Sequence, residues 1–163
     1  IENFESQAAK ESYGGEEIKE ELLKLRIISG LVDVQGSGIE ITLNDRKKDD
    51  FITQYPDMIN NFIVHDSDLL NIVNELRAAG AEAISINDTR IMETSRISCG
   101  GPTINIGTQS RFAPPFIIRA IGDPDTLVNA FQKPDSISHI LIDWGLQFEI
   151  KKSEKIKIVR TKP

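Results

Sequence analysis

The chain has 163 residues, with 19 basic and 25 acidic side chains for a formal charge of −6; 39% of residues are hydrophobic and 27% charged. That length suits one domain with its own core, the composition excludes wholesale disorder, and the acidic balance argues against nucleic acid as the main partner, because no basic stripe exists to neutralise phosphates. A single cysteine excludes an internal disulfide framework and a multi-cysteine metal cluster.

No apolar run approaches the roughly 18 residues that cross a bilayer, and no basic-then-apolar leader is present. The chain opens on Ile1-Glu2-Asn3 without an initiator methionine, as expected of a fragment or processed form. Residues 1–15 are polar and end in Ser12-Tyr13-Gly14-Gly15, which predicts a flexible lead-in. Residues 16–29 follow as an amphipathic helix, with Ile18, Leu22 and Leu25 at i, i+4 and i+7 among charges. Such a stripe serves either as the tail of a coiled coil or as the inner face of a helix lying on its own domain. Two turns do not decide between them.

From residue 30 to 163 the pattern is that of one α+β domain. Leu31 to Val34, a Gln35-Gly36-Ser37-Gly38 turn and Ile39 to Leu43 read as strand, glycine turn, strand. Phe51 to Val64 reads as a long loop with short ordered pieces. Asp66-Ser67-Asp68 opens the clearest helix, with Leu69, Ile72, Val73 and Leu76 as its apolar face, Asp66 or Ser67 as cap and Gly80 as stop. Ala83 to Ile86 is a short strand, and another lies near Thr103 to Ile106. The nearly continuous apolar run Phe116 to Ile121 predicts a central strand. Asp123 caps a helix that starts at Pro124 and buries Leu127, Val128 and Phe131. Ser136 caps a shorter helix in which Ile137, Ile140, Leu141 and Trp144 keep helical spacing up to Gly145. A hairpin closes the chain, with Leu146 to Ile150, a Lys151-to-Glu154 turn and Lys155 to Val159, its alternating lysines marking a sheet edge. The expected architecture is an antiparallel α+β sandwich with helices on one face, with room for two ferredoxin-like ββα-type halves.

The densest polar group is Asn87-Asp88-Thr89-Arg90, then Arg96, then Cys99-Gly100-Gly101-Pro102. As a ligand site it would use Asn87, Asp88, Arg90, Arg96, Cys99, Gly100 and Gly101. A nucleophilic Cys99 would need His65 or His139 as base and an arginine to hold an anion, yet neither histidine lies in a recognisable motif. The commoner fate of a lone cysteine is a small buried side chain. Asp88 and Arg90 are expected to form a structural pair, and Gly100-Gly101 a tight turn rather than an anion nest. The histidines lack metal-ligand spacing and the Asp49, Asp50, Asp66 and Asp68 set lacks a calcium-loop register, so no metal and no cofactor are expected. Phe112 and the Pro114-Pro115-Phe116 step either pack under the sheet or form a docking patch.

Several strings taken together resemble the YlxW/YlxX family, a bacterial family of undefined role common in Gram-positive lineages. They are Ile86-Asn87-Asp88-Thr89-Arg90-Ile91, Ile97-Ser98-Cys99-Gly100-Gly101-Pro102-Thr103-Ile104, Pro114-Pro115-Phe116 and Ala120-Ile121-Gly122-Asp123-Pro124. The Val34-to-Ile39 segment and Leu69 to Gly80 with its following Ala81-Glu82-Ala83-Ile84 agree, so the likeness covers about 16 to 160. One departure is Ile106-Gly107-Thr108-Gln109-Ser110 where an Asn-Gly turn is expected. The resemblance implies a parent with a membrane-spanning N-terminal helix, a coiled coil, and this domain on the extracytoplasmic face of the cytoplasmic membrane. Relatives are often encoded near cell-division and envelope genes, and no catalytic residues are established for them. The expectation is therefore a non-enzymatic envelope domain that binds a protein partner and dimerises through its N-terminal helix. The alternatives are a domain binding a small molecule or cell-wall fragment through Asn87 to Pro102, and an enzyme using Cys99.

Overall fold

The computed structural model describes residues 14–108 and 110–162, so nearly all of the expected lead-in lies outside the described residues. Helix α1 (Gly15–Ile28) is followed by strand β1 (Val34–Asn44), helix α2 (Asp50–Gln54), a 3-10 segment (Pro56–Phe62) and helix α3 (Asp66–Ala78). Strands β2 (Ala83–Ile86), β3 (Thr89–Arg90), β4 (Ile97–Cys99), β5 (Ile104–Ile106), β6 (Ser110–Phe112) and β7 (Phe116–Ile121) come next. Helices α4 (Pro124–Phe131) and α5 (Ile137–Asp143) then lead into strand β8 (Gln147–Ile158).

All strand pairings are antiparallel, in a five-stranded sheet of order β3-β2-β7-β1-β8 and a three-stranded sheet β4-β5-β6. The central place of β7 follows from its apolar run, and α3, α4 and α5 cover one face of the larger sheet, as the sequence predicts. Two ferredoxin-like halves are present, but each is a β-α-β unit, β1-α3-β2 and β7-α4/α5-β8, rather than ββα. The three-stranded sheet is inserted between them.

The difference arises because neither expected hairpin forms. β1 runs straight through Gly36-Ser37-Gly38, and β8 runs straight through the Lys151-to-Glu154 segment; the two long strands pair with each other from Val34↔Ile158 to Asn44↔Gln147. Gly38 is needed for packing, not for a turn. A Cβ there would lie 1.9 Å from the Ala120 carbonyl oxygen of β7. Between Gly36↔Ile156 and Gly38↔Ser153, three residue steps on β8 oppose two on β1, which is a β-bulge. The extra residue reverses the facing of β8, because side-chain direction alternates along a strand. Phe148 and Ile150 join the core beneath the helices, whereas Ile156 and Ile158 pack on the opposite face with Ala83, Ile121 and Val34.

The main core combines Ile39, Ile41 and Leu43 of β1, Phe116 and Ile118 of β7, and Leu69, Ile72, Val73 and Leu76 of α3. Each such side chain contributes about 1.5–3 kcal/mol by leaving water. Phe116 is fully buried and Phe112 packs against the same core, so the two phenylalanines pack as one alternative expects, while Pro115 between them is exposed. The N-cap of α3 is His65, one residue before the pair expected. Its amide donates to Asp68 Oδ2 at 2.8 Å, while Asp66 reaches instead to β4. On α5, Ile137 and Leu141 are buried, but Ile140 and Trp144 are exposed. The Phe51-to-Val64 segment does hold short ordered pieces, anchored by Arg46 over the Phe51 and Phe62 rings at 4.7 and 5.2 Å.

Gly38→Ala should destabilise the fold by about 3 kcal/mol, since the intruding atom meets backbone that cannot rotate away. Urea unfolding monitored by Trp144 fluorescence measures this, and an unchanged midpoint would contradict the close approach.

Candidate functional site

The structure divides the polar group between three places. Asn87 and Asp88 form the two-residue turn joining β2 to β3, both with positive φ (46° and 62°), where Asn and Asp are among the residues best tolerated. Asn87 Oδ1 accepts from the Ile117 amide at 2.7 Å, fastening the turn to β7. Asp88 does not pair with Arg90. Its Oδ1 accepts from Arg119 Nη1 at 2.6 Å, and Arg119 Nε donates to Glu40 Oε2 at 2.9 Å, while Arg90 is taken up by backbone carbonyls instead. Gly100 and Gly101 make the β4–β5 turn, with the Gly100 amide donating to the Thr103 carbonyl at 2.8 Å and Gly101 at φ 80°. Glycine is required there by the turn itself.

Arg90 is 5% exposed. Its Nη2 donates to the Ile27 carbonyl at 2.9 Å and its Nη1 to the Val32 carbonyl at 3.2 Å. Burial pushes its pKa down, while the charge of Asp33 pulls it back up. It remains a cation at neutral pH.

Cys99 is exposed, against the expectation of a small buried side chain: it shares the inward side with Ile97 and Ile104 but is the last residue of β4, at the rim of the sheet. It is held through its backbone: the Cys99 amide donates to Asp66 Oδ2 at 2.9 Å, and the Asp66 amide points at Cys99 Sγ at 3.5 Å. This reciprocal pair joins the small sheet to the start of α3. The Cys99 amide, the largest influence, holds the Asp66 carboxyl below its ordinary value, and burial holds the neighbouring Asp68 above it. His65 is occupied elsewhere, its Nε2 lying 2.6 Å from the Asn60 carbonyl.

Arg90, Arg96 and Cys99 come together at the wall of one hollow of about 950 Å³. Neither histidine lines it, nor do Asn87, Asp88, Gly100 or Gly101. Its back is the outward face of the small sheet, where Ser98, Asn105 and Arg111 stand in one cross-strand row, while Ile97, Ile104 and Ile106 point inward to the core. The segment 94–96 forms one rim, and Thr161 with Lys162 closes the other. Arg111, Asn105 and Lys162 escape the sequence reading. The alternation Ile104-Asn105-Ile106 and Ser110-Arg111-Phe112 carries a period-2 signal that puts Asn105 and Arg111 on the polar side, whereas nothing local marks Lys162. Among the described residues, no three His, Cys, Asp or Glu side chains gather closely enough to hold a metal ion.

The family model described as "Bacterial protein of unknown function (DUF881)" matches residues 21–163. The UPF0749 protein YlxW of Bacillus subtilis is 37% identical over 147 residues, covering 90% of this chain and 60% of that protein. The UPF0749 protein Rv1825 of Mycobacterium tuberculosis is 28% identical over 144 residues, covering 84% of this chain and 43% of its own length. This chain thus spans less than two thirds of either relative. A crystal structure of an uncharacterized conserved protein from Mycobacterium tuberculosis superposes with a TM-score of 0.73 at 28% identity, over 88% of this chain and 93% of that one.

Two outcomes follow from the anchoring contacts. Arg90→Met should cost about 3 kcal/mol by removing two charge-assisted bonds to buried carbonyls, and hydrogen exchange of the Ile28-to-Asp33 amides should accelerate. Asp66 has a lowered folded-state pKa, so its stabilisation is complete above the ordinary carboxylate value and is lost as pH falls through the folded value. The stability gap between wild type and Asp66→Ala, read by urea unfolding, should therefore narrow on acidification.

Proposed function

The chain belongs to the DUF881 family of bacterial proteins of unknown function, and from that premise we propose that it is a non-enzymatic interaction domain, carried outside the cytoplasmic membrane by a membrane-anchored envelope protein and paired with a second copy through α1. The observation that carries the reading is the state of α1. Ile18 and Leu25, the outer members of its apolar stripe, are 49% and 52% exposed, and Leu22 between them is only partly buried. The 4-then-3 spacing of these residues is that of a coiled-coil seam. A helix lying on its own domain would bury that stripe.

The base of α1, by contrast, is fixed. Gly30 has φ 69°, and the Leu31 amide donates to the Arg26 carbonyl at 2.9 Å, closing the helix with the bond pattern of a Schellman cap. Arg90 holds the Ile27 carbonyl, and the Thr161 amide donates to the Gly30 carbonyl at 2.8 Å. A Cβ at Gly30 would lie 2.7 Å from Met92 Sδ. A shaft tied to the sheet at one end and open along its apolar side suits a stalk that holds two domains in a set orientation. The extra length of the relatives leaves room for more stalk and an anchor, since no described helix is long and apolar enough to cross a membrane. The envelope setting and its link to cell division rest on the resemblance to the YlxW/YlxX family.

Sedimentation equilibrium of the chain should give a dimer that Leu25→Glu converts to a monomer with the same circular dichroism spectrum in the folded state, because the substituted site is exposed. A wild type that stays monomeric up to about 1 mM, the weak end of specific affinities, would overturn the pairing. For the location, external protease added to protoplasts making the full-length protein should degrade this domain. Protection until lysis would refute it.

A further inference from the structure

We propose that the hollow beside the small sheet is a binding site for a small phosphorylated sugar carrying two or more negative charges. The proposal stands on the charge left uncompensated there. Arg90, Arg96, Arg111 and Lys162 all line the hollow, and among the described residues no Asp or Glu does. Arg96, Arg111 and Lys162 have no carboxylate partner within ion-pair distance among the described residues. This occurs in a chain of net charge −6. Along β8 the cations stand with carboxylates close by: Arg119 of the neighbouring β7 is paired with Glu40 and Asp88, Lys152 with Asp125 and Lys157 with Asp33. Lys151 and Lys155, which have no ion pair of their own among the described residues, share their groove with Glu40. Like charges gathered without counter-charge repel, and a concave wall focuses their field on whatever anion enters.

The remaining lining sets the ligand class. Ser98, Ser110 and Thr108 present hydroxyls, and Asn105 presents an amide that can donate and accept, a set suited to the hydroxyls of a polyol. Among the described residues no aromatic side chain lines the hollow, so they offer a nucleobase no stacking platform. Arg90 already spends both terminal nitrogens on carbonyls, so it supplies field and not new bonds. Arg96 and Arg111, both exposed, are the forks free to hold phosphate oxygens bidentately. The volume of about 950 Å³ is at the upper end of small-molecule sites and admits a mono- or disaccharide. This site is independent of the α1 pairing, and its test does not depend on oligomeric state.

Isothermal titration of the whole chain at low salt, with fructose 1,6-bisphosphate, pyrophosphate and glucose as probes, tests the assignment. The bisphosphate should bind, glucose should not, and raising the ionic strength should weaken binding. Arg96→Gln and Arg111→Gln should each weaken the bisphosphate about tenfold, as expected for loss of one charge-assisted contact, with melting temperatures unchanged. Lys155→Gln, on the exposed β8 edge, should leave affinity as it was. No binding up to about 10 mM, beyond the weak end of specific recognition, would overturn the proposal, as would equal losses in Lys155→Gln. Pyrophosphate binding as tightly as the bisphosphate would overturn the assignment to a sugar.

Discussion

The Ala120 carbonyl oxygen of β7 occupies the space that a side chain at position 38 would need, and the rest of the architecture follows from that contact. With glycine there, β1 can pair with all of β7, from Gly38↔Ile121 to Leu43↔Phe116, and still accept β8 on its other edge. The bulge on β8 next to this point then divides one strand between two environments. Its first half helps to fill the core under α3, α4 and α5, and its second half seals the smaller cluster on the reverse face. Without the extra residue, Ile156 and Ile158 would face the same side as Phe148 and Ile150, and the reverse face would lose two of its buried members.

The small sheet is attached to this frame by buried isoleucines and a polar clasp, and the base of α1 by polar contacts. The Asp66–Cys99 pair ties β4 to the start of α3, and the inward isoleucines of β4 and β5 complete the main core. At the other end, Arg90 and Thr161 bind the carbonyls around the end of α1. A buried guanidinium that meets only backbone carbonyls is specific in direction, since its planar fork fits one arrangement of acceptors. The same residue stands in the wall of the cationic hollow. The base of the stalk and the proposed ligand site therefore share a side chain, so an anion in the hollow and the set of α1 bear on one guanidinium.

Charge is distributed unevenly over the molecule. On the outer sheet face, Arg119 is matched with both Glu40 and Asp88, and Lys151 stands opposite Glu40 on the neighbouring strand, so each cation there has a carboxylate close by. In the hollow the cations are left together. The acidic total seen from composition conceals this, because a net figure sums over surfaces that never meet. The uncompensated group is assembled from β3 and the nearby 94–96 segment, from β6 and from Lys162, which lies about fifty residues beyond Arg111.

Local signals determined much of this protein. The apolar face of α3, the Asp123 and Ser136 caps, the buried run of β7 and the lysine-studded edge strand are all read from neighbours within a turn or a pleat, and the structure keeps each of them. What misled was glycine. Gly36 and Gly38 carry the same letters whether the chain reverses or another backbone presses close, and only the position of Ala120 decides between them. The Lys151-to-Glu154 stretch is ambiguous in the same way, a turn by composition and a bulged strand once β1 lies beside it. Asp88 found Arg119 rather than Arg90, and Lys162 joined Arg96 and Arg111, through pairings between distant strands. Tertiary structure alone decided those matters, because strand partners and charge neighbours across a sheet are set by which segments meet, and no residue's own surroundings in the chain encode its distance from one a hundred positions away.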